Sequence, residues 1–170
     1  VTLHRGMAQD RGKTVIGSTN LLMAYGHVGH DCELADHIVL ANNASVSGHV
    51  RVGAYANFGG YSGAAQFRDI GAYTHIAAMS LVIKDIPDFV TVAGNPAGAV
   101  GLNLEGMRRR EMPKETVAAL KRAYRTFYKG GNTVAEALAE LAGAAAEDAC
   151  VAAFCASIER SEFGVVRERE

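Results

Sequence analysis

Aliphatic residues return at every sixth position along the first half of the chain. The series is Ile16, Leu22, Val28, Leu34, Leu40, Val46, Val52, Phe58, Ala64, Ile70, Ile76 and Val82, and only Ala64 in it is small. The next position is usually small as well: Gly17, Gly29, Ala35, Ala41, Ser47, Gly53, Gly59, Ala65, Gly71 and Ala77, with Met23 and Ile83 as exceptions. Four residues after the aliphatic row a second small or apolar residue recurs, as at Cys32, Ala44, Val50, Ala56, Ser62, Thr74 and Ser80. A period of six is neither the 3.6 of a helix nor the 2 of a half-buried strand. It predicts a parallel β-helix in which each hexad is a short strand and a turn, and three hexads close one triangular coil. The aliphatic residue points inward and stacks on its equivalent one coil away. The small residue beside it is expected to let the backbone bend at the corner. A β-sandwich would instead place its turn clusters at irregular spacing.

The repeat ends at "KDIPDFVTVAGNPAGAVGLN", where Pro87 and Pro96 are expected to block further ladder pairing. From Leu104 the pattern turns helical, which divides the chain into coils with a connecting segment over 1–103 and helices over 104–170. In "ETVAALKRAYRTFYK", Val117, Leu120, Tyr124, Phe127 and Tyr128 share one face. Gly130 and Gly131 stop that helix, and Thr133 can cap a second that runs through Leu138 and Leu141. A third, Ala-rich helix carries Val151, Phe154, Cys155 and Ile158. The charged tail after Ser161 is expected to fray.

Composition narrows the picture. The 170 residues carry 17 basic and 18 acidic side chains, a balance that asks for neither nucleic acid nor an anionic membrane. Nineteen glycines, three prolines and no Trp fit many tight turns. Cys32, Cys150 and Cys155 are odd in number and lack metal spacing, so they read as reduced, mostly buried thiols of a cytoplasmic protein. No apolar run approaches the ~20 residues of a membrane helix, and no stretch of this sequence reads as a signal peptide. The opening "VTLHRGMAQD" reads like the middle of a protein, which suggests an N-terminal truncation.

The strings "VTLHRG", "NLLMAYGHVGHDC", "LANNASVSGHV", "QF", "AGNPA" and "GLNLEGMRRR" closely resemble the acyl-carrier-protein-dependent UDP-N-acetylglucosamine O-acyltransferases that begin lipid A synthesis. The resemblance runs from Val1 to about Lys129 and is weaker in the last two helices. It implies a left-handed β-helix followed by a helical bundle, and a homotrimer with active sites between subunits. It also implies roughly five further N-terminal coils of about three hexads each. The implied activity moves a (3-hydroxy)acyl chain from acyl carrier protein to the 3-hydroxyl of UDP-N-acetylglucosamine. It needs no cofactor or metal of its own, because the donor carries its phosphopantetheine.

Such a transfer needs a base for the hydroxyl proton, donors for the oxyanion and a way to position two large substrates. By resemblance His30 is the base and Asp31 orients its ring. Neighbours on an extended strand point to opposite faces, so that pairing requires the two to sit at a corner. Without the resemblance they read equally well as two solvated turn residues. Gly48 matches the glycine whose backbone N–H takes the oxyanion; alone, it is a corner residue. His30 and Gly48 are eighteen residues apart, one coil, which stacks base and donor in adjacent rungs. His27 and His49 match contacts to the sugar or its phosphates. Asn103, Glu105, Arg109 and Arg110 match contacts to the uracil, ribose and diphosphate, where arginine's planar fork suits phosphate; alone they read as the solvated start of a basic helix. Gln66 matches a position near the pantetheine arm. Ala78 matches the position that closes the acyl pocket, and its small side chain implies chains beyond about ten carbons, each added CH₂ contributing ~0.8 kcal/mol; Met79 beside it would narrow the tunnel.

One departure stands out. The family commonly has a histidine immediately before the Gln-Phe pair, and here the residue is Ala65, which cannot donate to a phosphate or carbonyl. Tyr25 and Tyr61 also differ from the pattern. Four rivals remain: the sister N-acyltransferase of the pathway, a coenzyme A-dependent hexapeptide acetyltransferase, a zinc hydratase on the same coil and a non-catalytic β-helix scaffold. The first two lack or seldom have the long helical tail. A zinc site needs three converging ligands with an open position, and His27 with His30 is too few.

Overall fold

The computed structural model describes residues 1–168; Arg169 and Glu170 lie outside the described residues. Fifteen strands precede four helices among them. The first thirteen are dipeptides: β1 Thr2–Leu3, β2 Val15–Ile16, β3 Leu21–Leu22, β4 His27–Val28, β5 Glu33–Leu34, β6 Val39–Leu40, β7 Ser45–Val46, β8 Arg51–Val52, β9 Asn57–Phe58, β10 Gly63–Ala64, β11 Asp69–Ile70, β12 His75–Ile76 and β13 Leu81–Val82. They wind about four turns of a left-handed parallel β-helix. Its three faces are the sheets β1-β4-β7-β10-β13, β2-β5-β8-β11 and β3-β6-β9-β12, here named first, second and third face. The register advances one coil at a time, so His27 pairs with Ser45, Ser45 with Gly63 and Gly63 with Leu81.

The hexad row is the second residue of each strand and points into the coil. From Val28 to Val82 every member is buried, while Ile16 and Leu22 in the first coil are half-buried. The second row is inside as well: Cys32, Ala44, Val50, Ala56, Ser62, Thr74 and Ser80 are all buried.

The small third row has a different cause from the one expected. The bend does not fall there but two residues later, at Thr19, Tyr25, Asp31, His37, Asn43, His49, Tyr55, Tyr61, Phe67, Tyr73 and Met79, all with φ between 55° and 63°. Left-handed backbone costs a non-glycine residue roughly 1–2 kcal/mol. Here the inter-coil ladder offsets that cost from His37 to Met79, where each corner N–H donates to a carbonyl one coil back, as His49 does to His30 (2.9 Å) and Phe67 to Gly48 (3.1 Å). Small residues occupy the third row because the coils nearly touch there. A Cβ on Gly29 would lie 2.6 Å from Gly48 N, and one on Gly53 2.5 Å from Ala72 N.

The stack also continues past the prolines. Ile86 bridges to Ile70, and β14 (Val90–Ala93) adds to β12 before turning back antiparallel as β15 (Gly98–Leu102). Four helices follow: α1 Leu104–Arg109, α2 Lys114–Lys129, α3 Val134–Glu147 and α4 Ala149–Glu159. Leu120, Tyr124 and Phe127 of α2 are buried against Val151 and Phe154 of α4 and Leu141 of α3. Thr133 and Glu136 form a reciprocal capping box at the start of α3.

The tail does not fray through residue 168. Ser161 Oγ donates to Asp85 (2.7 Å), Val165 bridges to Asp85, Glu168 bridges to Ala99, and Val165 and Val166 are buried. The apolar pair and an open strand edge together outweigh the charges around them. Arg160, at the end of α4, is fastened to the second face through Asp69 (2.9 Å) and Asp88 (3.4 Å). No helix is long and apolar enough to cross a membrane among the described residues.

Candidate active site

The corner between the first and second faces collects one pair of residues from each coil: His30–Asp31, Gly48–His49 and Gln66–Phe67. The corner solves the orientation problem raised by the adjacent His30 and Asp31. With φ of 56°, Asp31 turns its carboxylate back, and Oδ2 meets His30 Nδ1 at 3.0 Å. Asp31 is buried, and Met7 N–H also donates to Oδ2 at 2.9 Å. That backbone bond is the main reason its pKa lies below the ordinary carboxylate value, with His30 adding to it and burial opposing. An ionised Asp31 accepts the Nδ1 proton of His30 and leaves the Nε2 lone pair free.

That free edge of the ring lies against Gly48. A Cβ there would stand 2.6 Å from His30 Nε2 and 2.7 Å from Cε1, so no other residue fits beneath the imidazole as it stands. Gly48 N–H makes no hydrogen bond among the described residues. A base and a free N–H donor therefore share one small space. His49 packs edge-on to His30 (5.0 Å between centroids) and stacks on Phe67 (4.6 Å), with its Nε2 3.3 Å from Asp10 Oδ2. His27 faces outward on β4, bonded through Nδ1 to Thr2 Oγ1 (2.7 Å) and edge-on to His4. Partial burial, then His4, lowers its pKa.

The hexad pattern misses two contributors to this corner. β1 and β2 are joined by a loop, and Thr2 pairs with a residue 25 positions on rather than 18. That loop carries Met7, Asp10 and Arg11 to the corner; the lack of hexad phasing before Ile16 is its only sequence signal. The second contributor is the docked tail. Phe163, under the Arg68 guanidinium (3.9 Å), joins Arg11, Asp31, His49, Arg51, Phe67, Asp85 and Glu162 around a cavity of about 200 Å³.

Gln66 lies exposed on the same corner, and Ala65 is half-buried just before it. Ala78 does not join them. It is exposed on the corner between the third and first faces, beside Met79, and lines none of the cavities described here.

The remaining candidates form a second site on the corner between the second and third faces. His37, Tyr55, Tyr73 and Phe89 stack there as a continuous aromatic ladder, with centroids 4.6, 4.8 and 5.3 Å apart. Beside it Asn103, Glu105, Arg109 and Arg110 line a cavity of about 220 Å³ together with Tyr55, Asn57 and His75. Asn103 caps α1 through Gly106 N–H (2.9 Å) and donates to Tyr73 O (2.8 Å). Glu105 holds both Arg108 and Arg109 at 2.7–2.8 Å, and those bonds bring its pKa to about 2. Arg110 has no carboxylate partner among the described residues. Its guanidinium lies 4.2 Å over the Tyr55 ring, which leaves its N–H donors for an external anion. Within one chain this site shares no lining residue with the His30 corner.

Comparison with known proteins adds three findings. Residues 85–166 match the family model described as UDP-N-acetylglucosamine O-acyltransferase, domain 2. Over 167 residues the chain is 47% identical to the acyl-[acyl-carrier-protein]–UDP-N-acetylglucosamine O-acyltransferase of Pseudomonas syringae pv. tomato and 48% identical to that of Pseudomonas aeruginosa. Each match covers 98% of this chain and 65% of the relative, so the chain spans just under two thirds of the curated relatives' length. The solved UDP-N-acetylglucosamine O-acyltransferase of Moraxella catarrhalis superposes with a TM-score of 0.92 at 44% identity, covering 97% of this chain and 64% of that one. The corresponding Arabidopsis structure gives 0.90 at 35%, covering 97% and 60%.

Proposed function

We propose that this chain is part of a UDP-N-acetylglucosamine O-acyltransferase and that it carries the acyl-transfer chemistry of the relatives it resembles over the part of them that it spans. The reaction moves a (3-hydroxy)acyl chain from acyl carrier protein to the 3-hydroxyl of UDP-N-acetylglucosamine. His30 Nε2 takes the hydroxyl proton as the sugar oxygen attacks the thioester carbonyl. Gly48 N–H receives the oxyanion of the tetrahedral intermediate. When that intermediate collapses, the C–S bond breaks and the departing thiolate takes the proton back from His30. Asp31 holds the ring in the tautomer the step needs. The observation that carries the reading is the His30–Asp31 bond at 3.0 Å with Gly48 directly beneath the free ring edge.

The Asn103–Arg110 cavity takes the uridine diphosphate, with Arg110 on phosphate and Asn103 and Glu105 toward the nucleoside. His27 and His49 flank the sugar, Gln66 the pantetheine arm, and Ala78 the end of the acyl chain. The base and the nucleotide cavity occupy different corners of one chain. A homotrimer in which neighbouring copies bring those corners across a cleft makes the two into one site. The exposed Leu21, Tyr25, Tyr61, Met79 and Leu81 supply apolar surface for it. The protein works in the cytoplasm, where its carrier-protein donor is made, and uses no cofactor beyond the donor's own arm.

The test is a donor and acceptor screen on the parent protein that contains this segment. Hydroxyacyl carrier protein with UDP-N-acetylglucosamine should give an O-acyl ester. Transfer from acetyl coenzyme A alone, or an amide product only, overturns the assignment.

A further inference from the structure

We infer that His30, Asp31 and His49 form a binding site for a divalent transition-metal ion, Zn²⁺ in particular, and that an ion bound there withdraws His30 from proton transfer. Each of the three offers one ligand atom, and these atoms all lie within 4.8 Å of one another. Two imidazoles and one carboxylate are the donor set of open zinc sites, with three protein ligands and a free fourth position. The separation of His30 Nδ1 from Asp31 Oδ2, 3.0 Å, is near the edge of a coordination polyhedron whose bonds are about 2.0–2.1 Å. A small shift of one ring admits an ion on Nδ1 once the ring's single proton has moved to Nε2, and the resulting Nε2–H can no longer accept a proton.

An independent observation points to a missing partner. Asp31 is 0% exposed, and its second oxygen, Oδ1, has no hydrogen-bond partner among the described residues. A fully buried carboxylate oxygen is costly to leave unpaired. Asp31 and His49 also line the cavity under the tail, which gives the ion an approach and a water for its open position. Three carboxylates (Asp31, Asp85 and Glu162) face two guanidiniums (Arg11 and Arg51) across that cavity, a balance that favours a cation. His49 is already fixed between Phe67 and His30, so little ordering is left to do on binding. Asp10, 3.3 Å from His49, adds negative charge beside the cluster. The cluster differs from the His27 and His30 pair weighed from the sequence, because His27 is taken up by Thr2 and His4.

The probes are Zn²⁺ by calorimetry and Co²⁺ by visible absorption, on the metal-stripped parent protein. One ion per chain should bind at micromolar concentration, and Co²⁺ should show the visible d–d bands of a low-symmetry nitrogen–oxygen site. His49→Gln and His30→Gln should each weaken binding at least tenfold, while His4→Ala should leave it unchanged. Asp31→Asn should do the same as the histidine variants; because Asp31 also holds Met7, the two histidine variants decide the outcome. Added Zn²⁺ should also suppress turnover, with recovery on chelation. Binding that is weak, non-stoichiometric or equal in wild type and both histidine variants overturns the site. Tight binding with full turnover retained overturns the inhibition. Metal binding is read without any acyl substrate, so it stands or falls apart from the acyltransferase assignment.

Discussion

Two corners of the same solenoid share a backbone and differ in how far rings fill them. His49 and Tyr55 have the same φ of 62°, and both corners repeat at eighteen residues. On one, the positive-φ rungs Asp31, His49 and Phe67 carry a carboxylate and a stacked pair of rings, and the residues just before them, His30, Gly48 and Gln66, are a ring, a bare backbone and an exposed amide. On the other, His37, Tyr55, Tyr73 and Phe89 fill every rung with an aromatic ring. The first leaves a gap where a reacting carbonyl can approach an N–H. The second leaves none and offers a rigid wall against which Arg110 is held. In the proposed function the bare backbone at Gly48 serves the reaction and the filled aromatic ladder serves recognition.

The sharpest way to break the contrast is to fill the gap. Gly48→Ala puts a methyl 2.6 Å from His30 Nε2, which forces the ring away and blocks the N–H. The expected loss in kcat is about 10²-fold or more, the usual cost of removing one oxyanion donor. Thermal denaturation should show the coil still folded, and unchanged kcat would remove Gly48 from the mechanism.

A second change rebuilds what the reactive corner lacks. Ala65→His returns an imidazole to the position where the family pattern has one. If that ring normally hydrogen-bonds a polarised substrate group, kcat/KM on UDP-N-acetylglucosamine should rise about tenfold. No gain, with the parent already at full rate, makes Ala65 a neutral substitution. A gain absent from an amino-substituted acceptor that the parent prefers would instead assign Ala65 to acceptor choice.

The smallest effect is expected at the wall. Tyr55→Leu removes the face under Arg110, and UDP should bind about three- to tenfold more weakly, in line with one cation–π contact. Tyr55→Phe should bind normally, because the ring face is kept. Equal weakening in both variants would assign the effect to the coil rather than to Arg110.

Much of this contrast is legible in the chain. The hexad row identifies the solenoid, and the eighteen-residue spacing of His30 and Gly48 puts them on one corner. The His30–Asp31 pairing is conditional on a corner, and Asp31 supplies it with φ of 56°. The small third row reads as the bend, because glycine signals turns; the bend falls on bulky residues, which only inter-coil hydrogen bonding makes tolerable. The aromatic ladder is harder to see although its phase is regular, with His37, Tyr55 and Tyr73 following the aliphatic row by three. Tyr25 and Tyr61, which stand out against the family pattern, share that phase but lie exposed on the third corner. Asp10 and Arg11 are marked only by the missing hexad phase before Ile16, and Phe163 by nothing, because a loop and a tail reach the site by tertiary packing.

In the proposed transfer His30, held by Asp31 over Gly48, is the base. The direct test is turnover of His30→Ala by single-turnover kinetics, with UDP-N-acetylglucosamine affinity measured separately on the same protein. General-base catalysis is worth about 10²–10⁴-fold, so the chemical step should slow by at least ~10² while acceptor affinity changes less than about threefold. Near-normal turnover, or a loss that appears wholly in acceptor binding, would contradict it.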